Sequence, residues 1–137
     1  MRAAGLKDTL TTNLAPTANA HWPWPNSLDA LVAAADYHFL VLENDRVRVL
    51  EVIIPPGAFV PLHTHRWPAV MQVVSASDFV RRDGDGKVLL DTRTLPTTSA
   101  QPGAIWSPPL PPHSVENVGP REIRLFTVEV KNPGGIP

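Results

Sequence analysis

Short runs of β-branched and large apolar residues recur along the chain, and proline and glycine clusters separate them. Runs of this kind indicate strands, and residues that precede proline favour extended backbone. The chain has 16 prolines, whereas the average usage of roughly 5% would give about 7. Long helices are therefore excluded from most of the chain. The pattern predicts an all-β sandwich or barrel with strands in HFLVLEN, RVRVLEVII, VMQVV, DFVRR, KVLLD, GAIWS and REIRLFTVEVK.

One short helix is predicted before the first strand. Asn26 or Ser27 can cap it, and its length would be about two to three turns. Its apolar face would consist of Leu28, Leu31, Val32 and Ala35. A tight hairpin is predicted later in the chain, because the Asp-Gly pairs of residues 83–86 favour the positive φ angles that such turns require.

The length of 137 residues fits one domain. We assign residues 21–131 to a single barrel domain, residues 1–20 to a mobile or arm-like segment, and residues 132–137 to a tail. No apolar run is long enough to cross a bilayer, so no membrane partner is expected. The net charge of −1 gives no general attraction for phosphates, so nucleic acid is not an expected partner either.

Cysteine is absent from the chain, which removes disulfides, thiolate ligands and a cysteine nucleophile. Any metal must therefore be held by histidine or oxygen ligands. The cytoplasm is the expected location, although a chain without cysteine is compatible with any compartment.

The candidate chemistry centres on three histidines. His63 and His65 are two residues apart, and on a strand such residues point to the same face. Two imidazoles can thus chelate one metal ion, provided that a third ligand comes from elsewhere in the fold. His113 is the natural third ligand.

These residues resemble the two sequence motifs of the cupin superfamily. In the first motif, Gly57 is followed by five residues and then by His63-Thr64-His65. The second motif is represented by Gly103, Pro108, Pro111, Pro112, His113 and Asn117. The resemblance covers roughly residues 38–130 and implies a cupin-type double-stranded β-helix, or jelly-roll, barrel.

The sequence departs from the cupin pattern at several positions. Ala69 replaces the motif glutamate, Ala76 replaces the following glycine, and Leu110 stands where the second motif usually has glycine. A fourth protein ligand is therefore expected to be missing. Gln72 is the nearest polar substitute, but strand alternation would turn it outward and Met71 inward.

Several side chains beside the motifs are candidates for the pocket. Trp67, Met71, Trp106 and Phe59 are predicted to line it. For the two tryptophans, packing at the barrel mouth is an equal alternative. Arg66 is a candidate for binding a substrate carboxylate, with a solvated surface position as the competing interpretation.

Other polar residues have no assigned role in the site. Alternate side chains on a strand face opposite ways, so one arginine of each pair can point inward; the pairs are Arg46 with Arg48 and Arg81 with Arg82. His21 and His38 have no partner at ligand spacing and are expected to be structural or exposed. Asn117 is expected to satisfy backbone groups at a turn. The catalytic residues stay unassigned, because a general base is available only if a strand turns inward one of Glu51, Glu116 and Glu122.

Two classes of function follow from the resemblance. In the first, His63, His65 and His113 hold Fe(II), Mn(II), Ni(II) or Zn(II), and a dioxygenase-like enzyme acts on a small oxygen-rich or anionic molecule at the open metal positions. In the second, the chain is a non-catalytic module that binds a small ligand, with a structural, recognition-only or absent metal. The resemblance also implies a homodimer.

Overall fold

Nine strands form two antiparallel sheets in this computed structural model, which describes residues 22–96 and 101–131. One sheet has the strand order β1-β2-β9-β4-β7, and the other has the order β3-β8-β5-β6. This arrangement confirms the predicted all-β jelly roll. The strands are β1 His38–Glu43, β2 Val47–Ile54, β3 Phe59–His65, β4 Ala69–Ser75, β5 Phe79–Asp83, β6 Val88–Asp91, β7 Gly103–Ser107, β8 Leu110–Asn117 and β9 Ile123–Val130.

The core lies between the sheets because the central strands alternate buried and partly exposed side chains. In β2 every second residue is buried, including Leu50 and Val52. Ile123 of β9 lies opposite Ile54 on the same face. Val60 of β3 contributes to the same hydrophobic cluster from the other sheet. This alternation is what a half-buried strand requires.

The predicted helix is present but shorter than expected. A 3₁₀ turn spans Asn26–Leu28, and the α-helix α1 spans Ala30–Ala33. Asp29 lies between them with extended backbone and forms a parallel bridge with Thr64 of β3. This contact with the sheet interrupts the helical run.

The cap and the apolar face of α1 also differ from the prediction. The cap is Asp29, whose carboxylate accepts a hydrogen bond from the backbone N–H of Leu31, and neither Asn26 nor Ser27 caps it. Val32 was expected on the buried face but is 62% exposed. The helix is too short to bury a full apolar stripe.

The predicted hairpin joins β5 to β6. Gly86 has φ +84° in the turn, and its N–H donates to the carbonyl of Asp83. The Asp83 carboxylate accepts two further backbone hydrogen bonds, from the N–H groups of Asp85 and Lys87. The turn is therefore held by one acidic side chain and one glycine.

Two irregularities in the pairing of β3 with β8 set the direction of the histidines. Val60 pairs with Val115 and His63 with His113, so β3 has one extra residue between them, at the position of Pro61. Proline has no N–H to donate to the ladder and is tolerated at such bulges. The bulge allows both Val60 and His63 to face the interior although they are three residues apart.

Asn117 satisfies backbone groups, as predicted. Its side-chain amide donates to the carbonyls of Ile54 and Arg121, and its oxygen accepts from the N–H of Gly119. The predicted arm at residues 1–20 and the tail at residues 132–137 lie outside the described residues, as does His21. Within the described ranges, no helix has the length and apolar character that a membrane span requires.

Candidate metal centre

Four imidazoles meet between the two sheets. The ring centroids of His63 and His65 are 5.0 Å apart, and the His113 ring lies 4.3 Å from that of His63 and 5.7 Å from that of His65. The structure thus brings the three predicted histidines together. The His38 ring joins them, at 4.8 Å from that of His63 and 5.2 Å from that of His65.

His38 was expected to be structural or exposed, and the structure places it, buried, in the histidine cluster. It is the first residue of β1 and is 4% exposed. One ring nitrogen from each of His38, His63 and His65 lies within 4.8 Å of the others. Its position depends on the pairing of β1 with β2, where it lies opposite Val52. No local spacing in the sequence could have indicated it.

Hydrogen bonds fix all four rings in the same tautomer. The Nδ1 atoms of His38, His63 and His113 lie within 2.7–3.0 Å of the carbonyl oxygens of Ala34, Pro61 and Pro111, respectively. The Nδ1 atom of His65 is 2.9 Å from the carboxylate of Glu129. Carbonyl and carboxylate oxygens accept hydrogen bonds, so each Nδ1 carries the proton. Each Nε2 is then an unprotonated nitrogen with a free lone pair, which is the form that binds a metal.

Burial keeps these rings neutral. Desolvation, followed by the charge of His65, lowers the pKa of His38 to about 4 and that of His113 to about 3. For His63, desolvation and then the charge of His113 lower the pKa still further. Neutral imidazoles close together suit a shared cation, because protonated rings would repel one another.

A buried ion network supports His65 from behind. Glu129 is fully buried. Its Oε2 accepts a hydrogen bond from His65, and its Oε1 accepts one of 2.6 Å from the Arg48 Nε–H. The Arg48 guanidinium also donates two hydrogen bonds of 3.0 Å to the carboxylate of Asp29. Two carboxylates and one guanidinium give this group a net charge of −1, which would partly offset a dication held by neutral imidazoles.

Glu129 was not among the glutamates considered from the sequence. It lies on β9 directly opposite Ala69 of β4, the position of the motif glutamate. The alanine side chain is buried and small, which leaves room for the carboxylate of its cross-strand neighbour. A carboxylate therefore lies beside the position of the motif glutamate, but it accepts a hydrogen bond from His65 Nδ1.

Gln72 does not reach the imidazoles. It is exposed, whereas Met71 and Val73 line the interior cavity on either side of it. Strand alternation produces this arrangement, as expected. Among the described residues, His38, His63 and His65 form the group whose donor atoms are close enough together to hold one ion, and the His113 ring lies beside it.

The cavity next to the imidazoles has a volume of about 600 Å³ and a mostly apolar lining. Met71 and Trp106 are among the residues that line it. Three polar atoms in its wall are buried and have no hydrogen-bond partner among the described residues: Arg81 Nε, Trp106 Nε1 and Thr127 Oγ1. A cavity of this size and character is typical of a small-molecule site.

The other predicted pocket residues lie elsewhere. Phe59 is 51% exposed, because the bulge at Pro61 reverses the alternation that would have turned it inward. Trp67 makes cation–π contacts: the Cζ atoms of Arg48 and Arg66 lie 5.0 Å and 5.5 Å from its ring centroid. Arg66 packs against that ring and, like Trp67 and Phe59, does not line the cavity.

Each arginine pair has one member turned inward and one at the surface; strand alternation accounts for Arg81 and Arg82, whereas Arg46 lies before the start of β2. Arg48 is buried in the ion network, whereas Arg46 is exposed. Arg81 lines the cavity, whereas Arg82 forms an ion pair with Glu116 at 3.0 Å. The three candidate general bases Glu51, Glu116 and Glu122 do not line the cavity.

The two facing sheets and the interior histidines define a protein with the cupin fold. A cupin domain from Bordetella pertussis Tohama I has a similar crystal structure, with a TM-score of 0.55 and 21% identity over 69% of this chain and 91% of that chain. An RmlC-like cupin family protein with a double-stranded β-helix fold, from Methanocaldococcus jannaschii, has a TM-score of 0.52 and 11% identity over 70% of this chain and 80% of that chain. No protein-family model matches the sequence, and no curated protein matches it. At these identities the likeness establishes the fold alone.

Proposed function

We propose that His38, His63, His65 and His113 bind one divalent metal ion and that the adjoining cavity binds a small molecule at that ion. The observation that carries the proposal is the common tautomer of the four rings, each of which keeps an unprotonated Nε2 while Nδ1 is held by an acceptor. Imidazole donors suit iron, manganese, nickel and zinc. Glu129 would orient His65 and increase its basicity as a ligand.

The reaction that this centre supports best is a dioxygenase-like conversion of a small oxygen-rich or anionic molecule. A metal held by neutral imidazoles retains its full double charge, and it would supply Lewis acidity toward an anionic or enolic substrate. The apolar walls around Trp106 and Met71 exclude water from the bound molecule.

A second candidate function is a module that binds its ligand without turnover. It is favoured by one observation: no aspartate or glutamate of the described chain lines the cavity, so no carboxylate is positioned there as a general base. In this case the same residues would hold the metal, and the cavity would only recognise its ligand.

Metal binding is tested by measuring metal content and affinity in the purified chain and in single alanine variants of the histidines. We expect one metal ion per chain in the wild type, and strongly weakened binding in H63A, H65A and H113A. H38A separates a four-histidine centre from the three-histidine site predicted from sequence, because only the former loses affinity. Q72A is the control, because Gln72 is exposed and lies on the opposite strand face from Met71 and Val73, and it should bind metal normally. Normal metal affinity in both H63A and H113A would refute the proposal.

The two functions are separated by oxygen-uptake assays on the iron-loaded chain with diketones, thiols and hydroxy acids. Oxygen uptake that H63A abolishes would identify an enzyme. The absence of turnover with every metal, together with intact metal binding, would identify a binding module. The expected homodimer and the cytoplasmic location remain predictions, to be checked by light scattering and by fractionation of cells.

A further inference from the structure

We propose that Arg81 binds the anionic group of an apolar monocarboxylate in the cavity. This inference rests on the proposed function, because it assigns the ligand class of the same site. Arg81 lies on β5 opposite Val115 of β8. It is two residues from Asp83, which pairs with His113, so both positions are on the same face of the strand. Its guanidinium therefore belongs to the chamber that the imidazoles face.

Within residues 22–96 and 101–131, no ion-pair partner faces the Arg81 side chain. Its Nε atom is buried and has no hydrogen-bond acceptor in the described chain, and its guanidinium carbon lies 5.7 Å from the centroid of the Phe79 ring. Burial lowers the pKa of Arg81, and no carboxylate offsets that effect. By contrast, the neighbouring Arg82 is paired with Glu116. Arg81 is half-buried, and a partly desolvated cation without a counter-charge is costly and is a feature of binding sites rather than of stable cores.

The remaining cavity wall defines the rest of the ligand. Arg81 is the only lysine or arginine in the described lining, and the other side chains are mainly aliphatic or aromatic, as in Phe79 and Leu125. The unpartnered Trp106 N–H offers one more hydrogen bond to an acceptor oxygen. The complementary ligand is therefore an acid with one carboxylate, an apolar body and a second oxygen function, such as an aromatic or branched 2-oxo acid.

The Arg81 charge also acts on the histidine cluster. It contributes to the lowered pKa of His113, after the larger effects of burial and of His65. Val115, opposite Arg81, lies two residues from His113 on β8, and Arg81 and His113 line the same cavity, so one small molecule there could contact both Arg81 and a metal ion at the imidazoles. An acid bound in this way would have its carboxylate at Arg81 and its second oxygen toward the centre.

The test uses calorimetric titration of the full metal-loaded chain with phenylacetate, phenylpyruvate and 4-methyl-2-oxopentanoate, and with neutral phenylacetamide for comparison. We expect at least one acid to bind much more tightly than the amide. R81M should weaken that binding about 10- to 100-fold, the effect of losing a charged hydrogen-bonded pair. R81K should be intermediate, because an ammonium keeps the charge but not the planar fork. R82M is the matched control and should leave the dissociation constant unchanged.

Thermal unfolding of the same variants separates binding from a structural role. R81M should melt close to the wild-type temperature, because methionine removes an unpaired charge from a half-buried position and keeps most of the apolar stem. A marked loss of stability in R81M, equal binding of acid by R81M and wild type, or binding of none of the three acids would overturn the inference.

Metal content is measured in parallel, so that the two proposals can fail separately. Metal binding without Arg81-dependent acid binding would leave the metal centre and refute the anion site. Arg81-dependent acid binding in a chain that takes up no metal would support the anion site and refute the metal centre.

Discussion

Replacing Glu129 by glutamine tests whether the buried ion network holds the histidine cluster. Glutamine keeps the shape of the side chain but removes the negative charge between Arg48 and His65. Its amide offers one acceptor oxygen and one NH₂ group, so either the Arg48 Nε–H or the His65 Nδ1–H would face another donor. The variant therefore leaves one buried donor unsatisfied and the Arg48 charge only partly compensated.

The size of the effect follows from the contacts. Removing one partner of a buried ion pair costs about 3–5 kcal/mol. Arg48 retains two hydrogen bonds of 3.0 Å to Asp29, so we expect the lower end of that range, about 3 kcal/mol. Loss of a group that orients a ligand typically weakens metal binding about 10- to 100-fold.

The assay is urea unfolding of the metal-free chain, followed by metal titration of the folded variant. E116Q is the matched control, because Glu116 also pairs with an arginine but its side chain is 38% exposed. E116Q should lose less than about 1 kcal/mol and should bind metal like the wild type. If E129Q were no less stable than E116Q and bound metal equally well, the assignment of Glu129 as support for His65 would be refuted.

Two further predictions concern backbone packing and pH. G119A should lower the free energy of unfolding by about 1–3 kcal/mol through overpacking, because the added Cβ would lie 2.7 Å from the backbone nitrogen of Asp78. G84A should lose less, because its added Cβ would be 3.8 Å from the nearest atom. Equal midpoints of urea unfolding in the two variants would contradict this prediction. The metal-free chain should lose stability as the pH falls from about 6.5 to about 4, because the unfolded chain takes up a proton near 6.5 while burial holds the pKa of His38 at about 4. The His38 contribution is about 3 kcal/mol, so H38N should show a shallower fall, and an unchanged pH profile in H38N would refute the assignment.

The parts of the site that the sequence could predict are those fixed by local spacing. His63 and His65 share a strand face, and the distances from Gly57 and to Asn117 match a known motif, so the cluster could be anticipated. Gln72 could be turned outward by the same alternation. The exposed position of Phe59 could not be predicted, because one extra residue in β3, between Val60 and His63, reverses the alternation of faces. The hydrophobic pattern of a sequence does not show where a β-bulge lies.

The residues that the sequence could not predict reach the site through pairing between distant strands. His38 depends on β1 lying beside β2, and Glu129 on its register with Arg48. Arg81 is indistinguishable from Arg82 until the face of β5 is known. These side chains have no motif of their own, and only the sheet order brings them to the cluster.

The substitution at Ala69 explains why these additional residues belong together. In the cupin motif a glutamate at this position would add negative charge among the ligands, whereas here the nearest carboxylate, Glu129, lies behind His65 and is shared with Arg48. A metal ion at the four neutral rings would therefore carry more net positive charge, and Arg81 adds a second cation to the same cavity. Both features favour an anionic ligand. Restoring the motif glutamate in A69E should consequently weaken the binding of an acid while preserving the metal, and the opposite outcome would break the link between the missing carboxylate and the charge of the ligand.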